Sequence, residues 1–470
     1  MSEHLLFLTG SLAEASLRQV LHAMAPTPVT WEVRPLKIKV AALLTGEMIK
    51  RQLADTGSAS RVVIPGRCRG DLEGLSEHYG TPFQRGPDEL RDLPEWLGQA
   101  GQPADLSQHD VLIFAEIVDA PNLTPASILH QAELFRQDGA DIIDLGCLPD
   151  QPFPHLAESV RLLKSEGFRV SVDSHRDEEL LAGGKAGADY LLSLTEQTLW
   201  IADEVAATPI LIPHTAGDLE SLQRAWETLD SKGRSCFIDP ILDPIHFGFT
   251  ESVVRYHEAR RRLPDAPMMM GVGNLTELTE ADTSGINALL FGIISELHVG
   301  AVLTTAVSPH CRSAIREADL SRRIMYRSRA DRTLPKRLHG GLSNRHERNP
   351  FPYDSAEISS AANRVKDRNF RIQVNQQGIH IYNRDALHQA VDPFDLFPHL
   401  GVEEDGSHAF YLGVELARAQ IALQLGKRYT QDQMLDWGVA TPPTEENLLE
   451  YAKPGSTKQG RKPLTKKGTK

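Results

Sequence analysis

Eight short apolar runs recur between positions 110 and 323, and a stretch with helical spacing follows each of them. The runs are VLIFAEI, ADIIDLG, RVSVDS, YLLSL, PILIPH, CFIDP, PMMMGVG and AVLTT. They are rich in β-forming residues, nearly free of charge and bounded by polar residues, which is typical of parallel strands buried on both faces. The sequence therefore predicts an α/β fold with a central (β/α)8 TIM barrel at residues 108–325, and a doubly wound sheet is the alternative.

The segments on either side of the predicted barrel have different patterns. Residues 1–105 alternate apolar runs with amphipathic stretches, which predicts a small α/β domain. Residues 326–352 are basic and aperiodic, so they predict a linker. Residues 353–440 combine a hairpin signal, NFRIQVNQQGIHIYN, with a helix signal, FYLGVELARAQIALQLG, and predict a small α+β domain. The basic residues 441–470 predict a disordered tail.

Composition limits the classes of function. The formal net charge of −13 argues against nucleic-acid binding, because the phosphate backbone requires a basic surface. No apolar run is long enough to span a bilayer, and the opening MSEHLLFLTGS lacks the features of a secretory signal, so we expect a cytoplasmic protein without a membrane partner. The cysteines are widely spaced and lack a Cys-x-x-Cys pair, which favours structural thiols: Cys68, Cys147, Cys236 and Cys311.

The polar residues that end the predicted strands are unusually acidic. Barrel enzymes place their reactive groups at these carboxyl ends. The residues found there are Glu116, Asp119, Asp144, Asp173, His214, Asp239 and Asn274. A buried carboxylate is costly unless it has a partner. That partner is either structural, an arginine or a helix N-terminus, or it is a ligand such as a flat heterocycle with amidine-like N–H donors.

The motifs GADIIDLG, SVDS, GADYLLSL and FIDPILDPIHFGF resemble the dihydropteroate synthase family in order and spacing, over roughly half of the chain. In that family three aspartates line the pterin site, and by resemblance they fall on Asp144, Asp173 and Asp239. The family's asparagine beside the Mg2+-bound diphosphate aligns with Asp119. Carboxylate oxygen also suits this hard cation, so the resemblance implies Mg2+ as cofactor.

Two stretches depart from the family pattern. Asn274, Leu275 and Thr276 replace its serine-arginine-lysine run. Where the family's last strand has an arginine and a histidine that hold anions, AVLTTAVSPHCR offers Thr304, Thr305, Ser308, His310 and Arg312. The extra segments before and after the barrel are similar to the dihydropteroate-synthase-related group associated with tetrahydromethanopterin biosynthesis.

That resemblance implies a homodimeric transferase. It would condense (7,8-dihydropterin-6-yl)methyl diphosphate with an aryl amine, 4-(β-D-ribofuranosyl)aminobenzene 5′-phosphate. By the same resemblance Asp119, Asp173 and Asn274 are the catalytic candidates. The pterin would contact Asp144, Asp173, Asp239, His214 and Asn274.

Two other functions stay open at this stage. GVGN loosely resembles a motif of methyltransferases that pass a methyl group from a pterin to a corrinoid protein, although the chain lacks an Asp-x-His-x-x-Gly corrinoid signature. The missing lysine and arginine are also compatible with a non-catalytic protein that only binds pterin.

Overall fold

A computed structural model of the chain describes residues 3–24, 29–88, 90–97, 104–442 and 454–457. The described residues form two compact units. Unit 1 draws on Met1–Ala104, Arg345–Asp436 and Pro443–Lys470, and unit 2 on Asp105–Asn344 and Trp437–Pro442. Most of the predicted tail lies outside the described residues. Within them, no helix combines the length and apolarity needed to cross a membrane.

The first segment of unit 1 is an open parallel sheet with helices on both faces. Its strands are β1 (His4–Gly10), β2 (Thr30–Leu36), β3 (Arg61–Ile64) and β4 (Phe83–Arg85), in the order β2-β1-β3-β4. Its helices are α1 (Glu14–Ala23), α2 (Gly46–Gln52), α3 (Leu72–Tyr79) and α4 (Leu93–Trp96). Helices α1 and α4 pack on one face and α2 and α3 on the other, so β1 is apolar on both sides.

Unit 2 contains eight parallel strands at the positions of the eight apolar runs. They are β5 (Leu112–Ile117), β6 (Ile142–Gly146), β7 (Val170–Asp173), β8 (Tyr190–Leu194), β9 (Thr208–Leu211), β10 (Phe237–Ile238), β11 (Met269–Gly271) and β12 (Ala301–Thr305). Their order is β10-β9-β8-β7-β6-β5-β12-β11, and a parallel bridge between Ile238 and Met268 joins the two ends. The sheet therefore closes into the predicted barrel.

Helices follow every strand of the barrel. They are α5 (Pro125–Gln137), α6 (Leu156–Ser165), α7 (Asp177–Ala186), α8 (Trp200–Glu204), α9 (Leu219–Ser231), α10 (Phe249–Arg262), α11 (Gly273–Thr276), α12 (Thr283–Glu296) and α13 (Ala314–Asp331). Some of these helices have an N-cap side chain that accepts a backbone hydrogen bond. Thr124 accepts from Ser127 N at α5, and Asp218 accepts from Ser221 N at α9.

Side chains alternate along the barrel strands between the interior and the helices. Phe114, Ile142, Leu192 and Met269 belong to the interior layer, and the rings of Phe114 and Tyr190 meet edge to face at 4.9 Å. Side chains of the opposite parity pack against the helices in a large apolar core. The barrel is thus filled at its centre, and open space for a ligand is restricted to its ends.

The second segment of unit 1 is α+β. It contains α14 (Ser355–Ala362), β13 (Arg371–Asn375), β14 (Gly378–Tyr382), β15 (Leu387–Ala390), α15 (Pro393–Leu396) and α16 (Gly406–Leu425). The three strands form an antiparallel sheet with the hairpin expected at Gly378, and α16 packs on it. Short 3-10 helices occur at Ala41–Leu43, Leu90–Asp92, Ala120–Asn122, Pro309–Cys311, Phe397–His399 and Gly438–Ala440.

The domain boundaries differ in two respects from those expected. The sequence pattern predicts two domains at 1–105 and 353–440, whereas the structure packs these segments in one unit, in which Arg428 pairs with Asp92 at 2.9 Å. Helix α13 also continues to Asp331, into the residues expected to be linker. Sequence periodicity reports local structure and carries no signal for a contact between residues more than 300 positions apart.

Arg322 of α13 fastens this helix to the amino-terminal end of the barrel. It is 2% exposed, pairs with Asp319 at 2.7 Å and with Asp141, and donates to Val111 O at 2.6 Å and Gly139 O at 3.1 Å. These partners lie next to the starts of β5 and β6, at the end of the barrel that serves stability.

We expect Arg322→Met to lower the free energy of unfolding by about 3–5 kcal/mol, because it leaves two carboxylates without their buried cation. Arg327→Met on the same helix removes only a surface pair with Asp331 and should cost about 1 kcal/mol or less. Urea unfolding followed by circular dichroism measures both. Equal losses in the two variants would contradict the role given to Arg322.

Candidate functional site

Four carboxylates occupy the carboxyl end of the barrel, and we call them the mouth carboxylates: Glu116, Asp144, Asp173 and Asp239. Glu116 and Asp144 lie two residues beyond the interior side chains Phe114 and Ile142, so the period of the strand turns them inward as well. Strand β5 pairs Glu116 directly with Asp144 of β6. The four acids therefore share one poorly solvated region.

Asp144 is the most deeply buried of the four, with no exposed surface. Ser171 Oγ donates to its Oδ1 at 2.5 Å, whereas its Oδ2 has no hydrogen-bond partner among the residues that the structure describes. Burial, and then the charges of Asp173 and Glu116, raise the pKa of Asp144 well above its ordinary value. In the described part of the chain, one buried oxygen thus lacks the hydrogen-bond donor that buried polar groups normally have.

Asp173 ends β7 and meets a distorted part of the next strand. The pairing of β8 with β9 is irregular between Leu192 and Leu194, and Ser193 there has a φ of 131°. Such an irregularity redirects a side chain, and Ser193 Oγ donates to Asp173 Oδ1 at 3.2 Å. Burial raises the pKa of Asp173, and the Ser193 hydrogen bond and His175 oppose the rise.

Asp239 follows β10 and is held from two sides. Its Oδ1 accepts from Tyr256 OH at 2.5 Å and from Ile241 N at 2.7 Å. Burial raises the pKa of Asp239 to about 6, although the Tyr256 hydrogen bond lowers it. Arg255 supports the loop by donating to Pro240 O at 2.7 Å and by pairing with Asp243. Asp239 is therefore a positioned acid that titrates close to neutrality.

Glu116 is the mouth carboxylate that sequence reasoning noticed at a strand end but did not select. Burial, and then the charges of Asp173, Glu277 and Asp119, raise its pKa to about 7. A Cβ atom at Gly146 would lie 2.5 Å from Glu116 Oε1, so glycine is needed beside it. Glu116 lies two residues after Phe114, so both side chains are on the same face of the strand. This spacing is the sequence signal from which its inward position could have been predicted.

Three more polar residues at the carboxyl end of the barrel were not selected either. Glu277 follows α11, and its Oε2 accepts from Thr305 Oγ1 at 2.9 Å. Thr305 pairs with Glu116 across β12 and β5. Tyr256 comes from α10, where the helical pattern alone gives no reason to expect a contact with Asp239. These contacts depend on closure of the barrel, which a local pattern does not report.

The remaining sequence candidates are less enclosed. Asp119 is exposed, has a φ of 56° and precedes the 3-10 helix Ala120–Asn122. His214 is exposed, with Gln197 Nε2 3.3 Å from its Nε2. Asn274 is exposed, but its Nδ2 donates to Leu242 O at 2.7 Å. Asn274 thus already steadies the loop after β10 with one of its polar atoms.

The structural partners considered for the mouth carboxylates are not found. Within the described ranges, no lysine or arginine forms an ion pair with any of the four. The N-caps of helices α6 and α7, which follow β6 and β7, are His155 and Arg176 and not the acids. Among the same residues, no group of three or more His, Cys, Asp or Glu side chains is arranged to hold a metal ion. The Oδ2 of Asp144, which lacks a partner in the described structure, and the raised pKa values of the four acids suit a ligand that donates hydrogen bonds.

Two comparisons concern the sequence. Residues 3–88, within the first segment of unit 1, match a family described as "Family of unknown function (DUF6513)". An uncharacterized protein of Methanocaldococcus jannaschii is 25% identical over an alignment that covers 91% of this chain and 98% of the relative. The likeness to that relative therefore extends over both units.

Solved structures similar to this chain include dihydropteroate synthases. The enzyme of Coxiella burnetii in complex with pteroic acid is 16% identical with a TM-score of 0.38, and covers 47% of this chain and 94% of its own. The enzyme of Thermus thermophilus in complex with 6HMPPP is 18% identical with a TM-score of 0.34, and covers 46% and 92%. The strand pairing of unit 2 establishes the barrel independently of them.

The raised pKa of Glu116 makes a prediction about stability. Between its ordinary value of 4.5 and about 7, the unfolded chain releases this proton and the folded protein keeps it. Folding is therefore favoured at low pH, and this contribution is lost as the pH rises to 7. Glu116→Gln does not ionise, so it should gain up to about 3 kcal/mol relative to wild type between pH 5 and pH 8.

Unfolding by guanidinium at a series of pH values measures this difference. Glu258→Gln is the control, because hydrogen bonds from Arg261 and Arg262 lower the pKa of Glu258 to about 2 and its effect lies below this pH window. A difference between Glu116→Gln and wild type that does not change from pH 5 to pH 8 would show that Glu116 is not perturbed.

Proposed function

We propose that the barrel binds a pterin at its carboxyl end and acts as a dihydropteroate-synthase-like transferase. The observation that carries this proposal is the fully buried Asp144, whose Oδ2 lacks a hydrogen-bond partner in the described structure and which lies beside Asp173. A pterin ring presents adjacent amidine-like N–H groups. A carboxylate can accept two such hydrogen bonds, and they are strong because the acceptor is charged.

The raised pKa values favour such a ligand over a passive structural role. Burial disfavours ionisation of Glu116, Asp144 and Asp173, and the charge of Asp173 adds to this at the other two, so N–H donors from a ligand would relieve the penalty. In the proposal Asp144, Asp173 and Asp239 orient the pterin. Ser171, Ser193 and Tyr256 act as positioning residues, because each donates a hydrogen bond to one of these acids.

The proposed reaction is the condensation of (7,8-dihydropterin-6-yl)methyl diphosphate with an aryl amine, 4-(β-D-ribofuranosyl)aminobenzene 5′-phosphate. The amine nitrogen attacks the methylene carbon and forms a C–N bond. The C–O bond to diphosphate breaks, and its electron pair leaves with the diphosphate. The amine then loses a proton, for which Glu116, with a pKa of about 7, is a suitable acceptor. No covalent enzyme intermediate is needed, so orientation of the reactants supplies much of the catalysis.

The proposed cofactor is Mg2+, and Asp119 is its candidate protein ligand. Asp119 is a single exposed carboxylate, which fits an ion bound largely through substrate oxygens, as is common for Mg2+. When bound, the ion would neutralise charge on the leaving diphosphate. Asn274 and His214 are the proposed contacts of the pterin or the diphosphate, and both are exposed at strand ends.

Diphosphate release tests the proposed function. The protein is incubated with Mg2+ and (7,8-dihydropterin-6-yl)methyl diphosphate, and either the ribosylated aryl amine phosphate or 4-aminobenzoate is added. We expect release with the ribosylated amine. Asp173→Asn should lose at least tenfold in kcat/KM, because a hydrogen bond to a charged acceptor contributes about 1.5–3 kcal/mol. Asp203→Asn, on the outer helix α8, should keep full activity.

The other outcomes are equally informative. Release with 4-aminobenzoate alone would contradict the proposed amine and indicate a folate-type reaction. Saturable binding of the pterin without release in either reaction would indicate a pterin-binding protein. Methyl transfer from a methylated pterin to an added corrinoid protein would indicate the methyltransferase.

A further inference from the structure

A second candidate site lies in unit 1, in the open parallel sheet. In the order β2-β1-β3-β4, the strands β1 and β3 are neighbours. The chain leaves β1 toward β2 at one edge and leaves β3 toward β4 at the other. A crevice forms at the carboxyl ends of two such strands, and ligands of open α/β sheets bind there. The strand order alone therefore predicts a ligand site beyond Gly10 and Ile64, the last residues of β1 and β3.

A cavity of about 1200 Å³ occupies this place, and we call it the switch-point cavity. Ser11 and Leu12 line it after β1, and Pro65 and Gly66 line it after β3. The second segment of the same unit contributes another wall from α14 and β13. The volume is more than sufficient for a metabolite, because small-molecule sites measure roughly 300–1,000 Å³.

The lining of the switch-point cavity combines an apolar floor with a basic rim. Phe7, Leu17 and Leu93 are buried side chains that form part of the floor. Five basic residues line the cavity against three acidic ones, although the whole chain carries a net charge of −13. The basic residues are Lys39, Arg67, Arg364, Lys366 and Arg371, and the acidic ones are Asp88, Glu357 and Asp367.

Part of this basic rim is not neutralised by the protein. Arg371 pairs with Asp367 at 2.6 Å. Lys39, Arg364 and Lys366 are exposed, and none of them forms an ion pair with a residue in the described part of the chain. A concentration of cations beside an apolar surface is suited to a ligand that has an anionic group and an apolar body.

We propose that the switch-point cavity binds a nucleotide, with its phosphates at the basic rim and its base over the apolar floor. Gly10 does not supply the phosphate contact, because a Cβ atom there would lie 2.7 Å from Lys39 O, so close packing of the backbone explains this glycine. The phosphates are assigned to basic side chains, foremost Arg364 and Lys366. This site is independent of the proposed pterin site in unit 2.

Isothermal titration calorimetry of the full chain with ADP tests this proposal. We expect saturable binding with one site per chain, and at least tenfold weaker binding of adenosine, which lacks phosphate. The double variant Arg364→Glu/Lys366→Glu should bind ADP at least tenfold more weakly. Both residues are exposed, so the substitutions should not unfold the protein, which circular dichroism checks. Lys50→Glu, exposed on α2 and outside the cavity, is the matched control and should bind ADP as wild type does.

Three results would overturn the proposal: no saturable binding of ADP, equal binding of adenosine and ADP, or a double variant that binds ADP as tightly as Lys50→Glu. Asp144→Asn separates this test from that of the barrel, because it should keep ADP binding whether or not the pterin proposal holds.

Discussion

The burial of several carboxylates close together at the carboxyl end of the barrel is the main physical constraint on the candidate site. Burial raises the pKa values of Glu116, Asp144 and Asp173. The charge of Asp173 raises those of Glu116 and Asp144 further, and the charge of Glu116 adds to the rise at Asp144. Among the described residues no lysine or arginine forms an ion pair with them. A protein under selection for stability alone would gain by replacing such acids with apolar residues. Their presence is therefore better explained by a ligand that donates hydrogen bonds to them.

The rest of unit 2 keeps these acids in place. Closure of the barrel between Ile238 and Met268 brings Asp239 into the same mouth as the acids of β5 to β7. Hydrogen bonds from Ser171, Ser193 and Tyr256 orient individual carboxylates. At the opposite end, Arg322 ties α13 to the strand starts. The stabilising Arg322 contacts and the candidate ligand site thus lie at opposite ends of the barrel, as in other folds of this type.

Much of the fold could be predicted because its signals are local. Each barrel strand is an apolar run of a few residues, and the polar residue that ends a run marks the carboxyl end, as Asp144 and Asp173 show. Contacts that depend on distant parts of the chain could not be predicted. Tyr256 meets Asp239 only after α10 packs on the barrel, Ser193 reaches Asp173 through an irregular strand, and the segments before and after the barrel form one unit.

Proton release on binding is the most direct test of whether the mouth carboxylates accept hydrogen bonds from a pterin. Titration of the protein with 6-hydroxymethyl-7,8-dihydropterin at pH 6.5, in two buffers with different ionisation enthalpies, measures the protons exchanged. We expect net release by the wild type, since N–H donors favour the charged carboxylate, and weaker binding with less release by Asp144→Asn. Binding with the same enthalpy in both buffers, or an Asp144→Asn protein that behaves as the wild type, would contradict it.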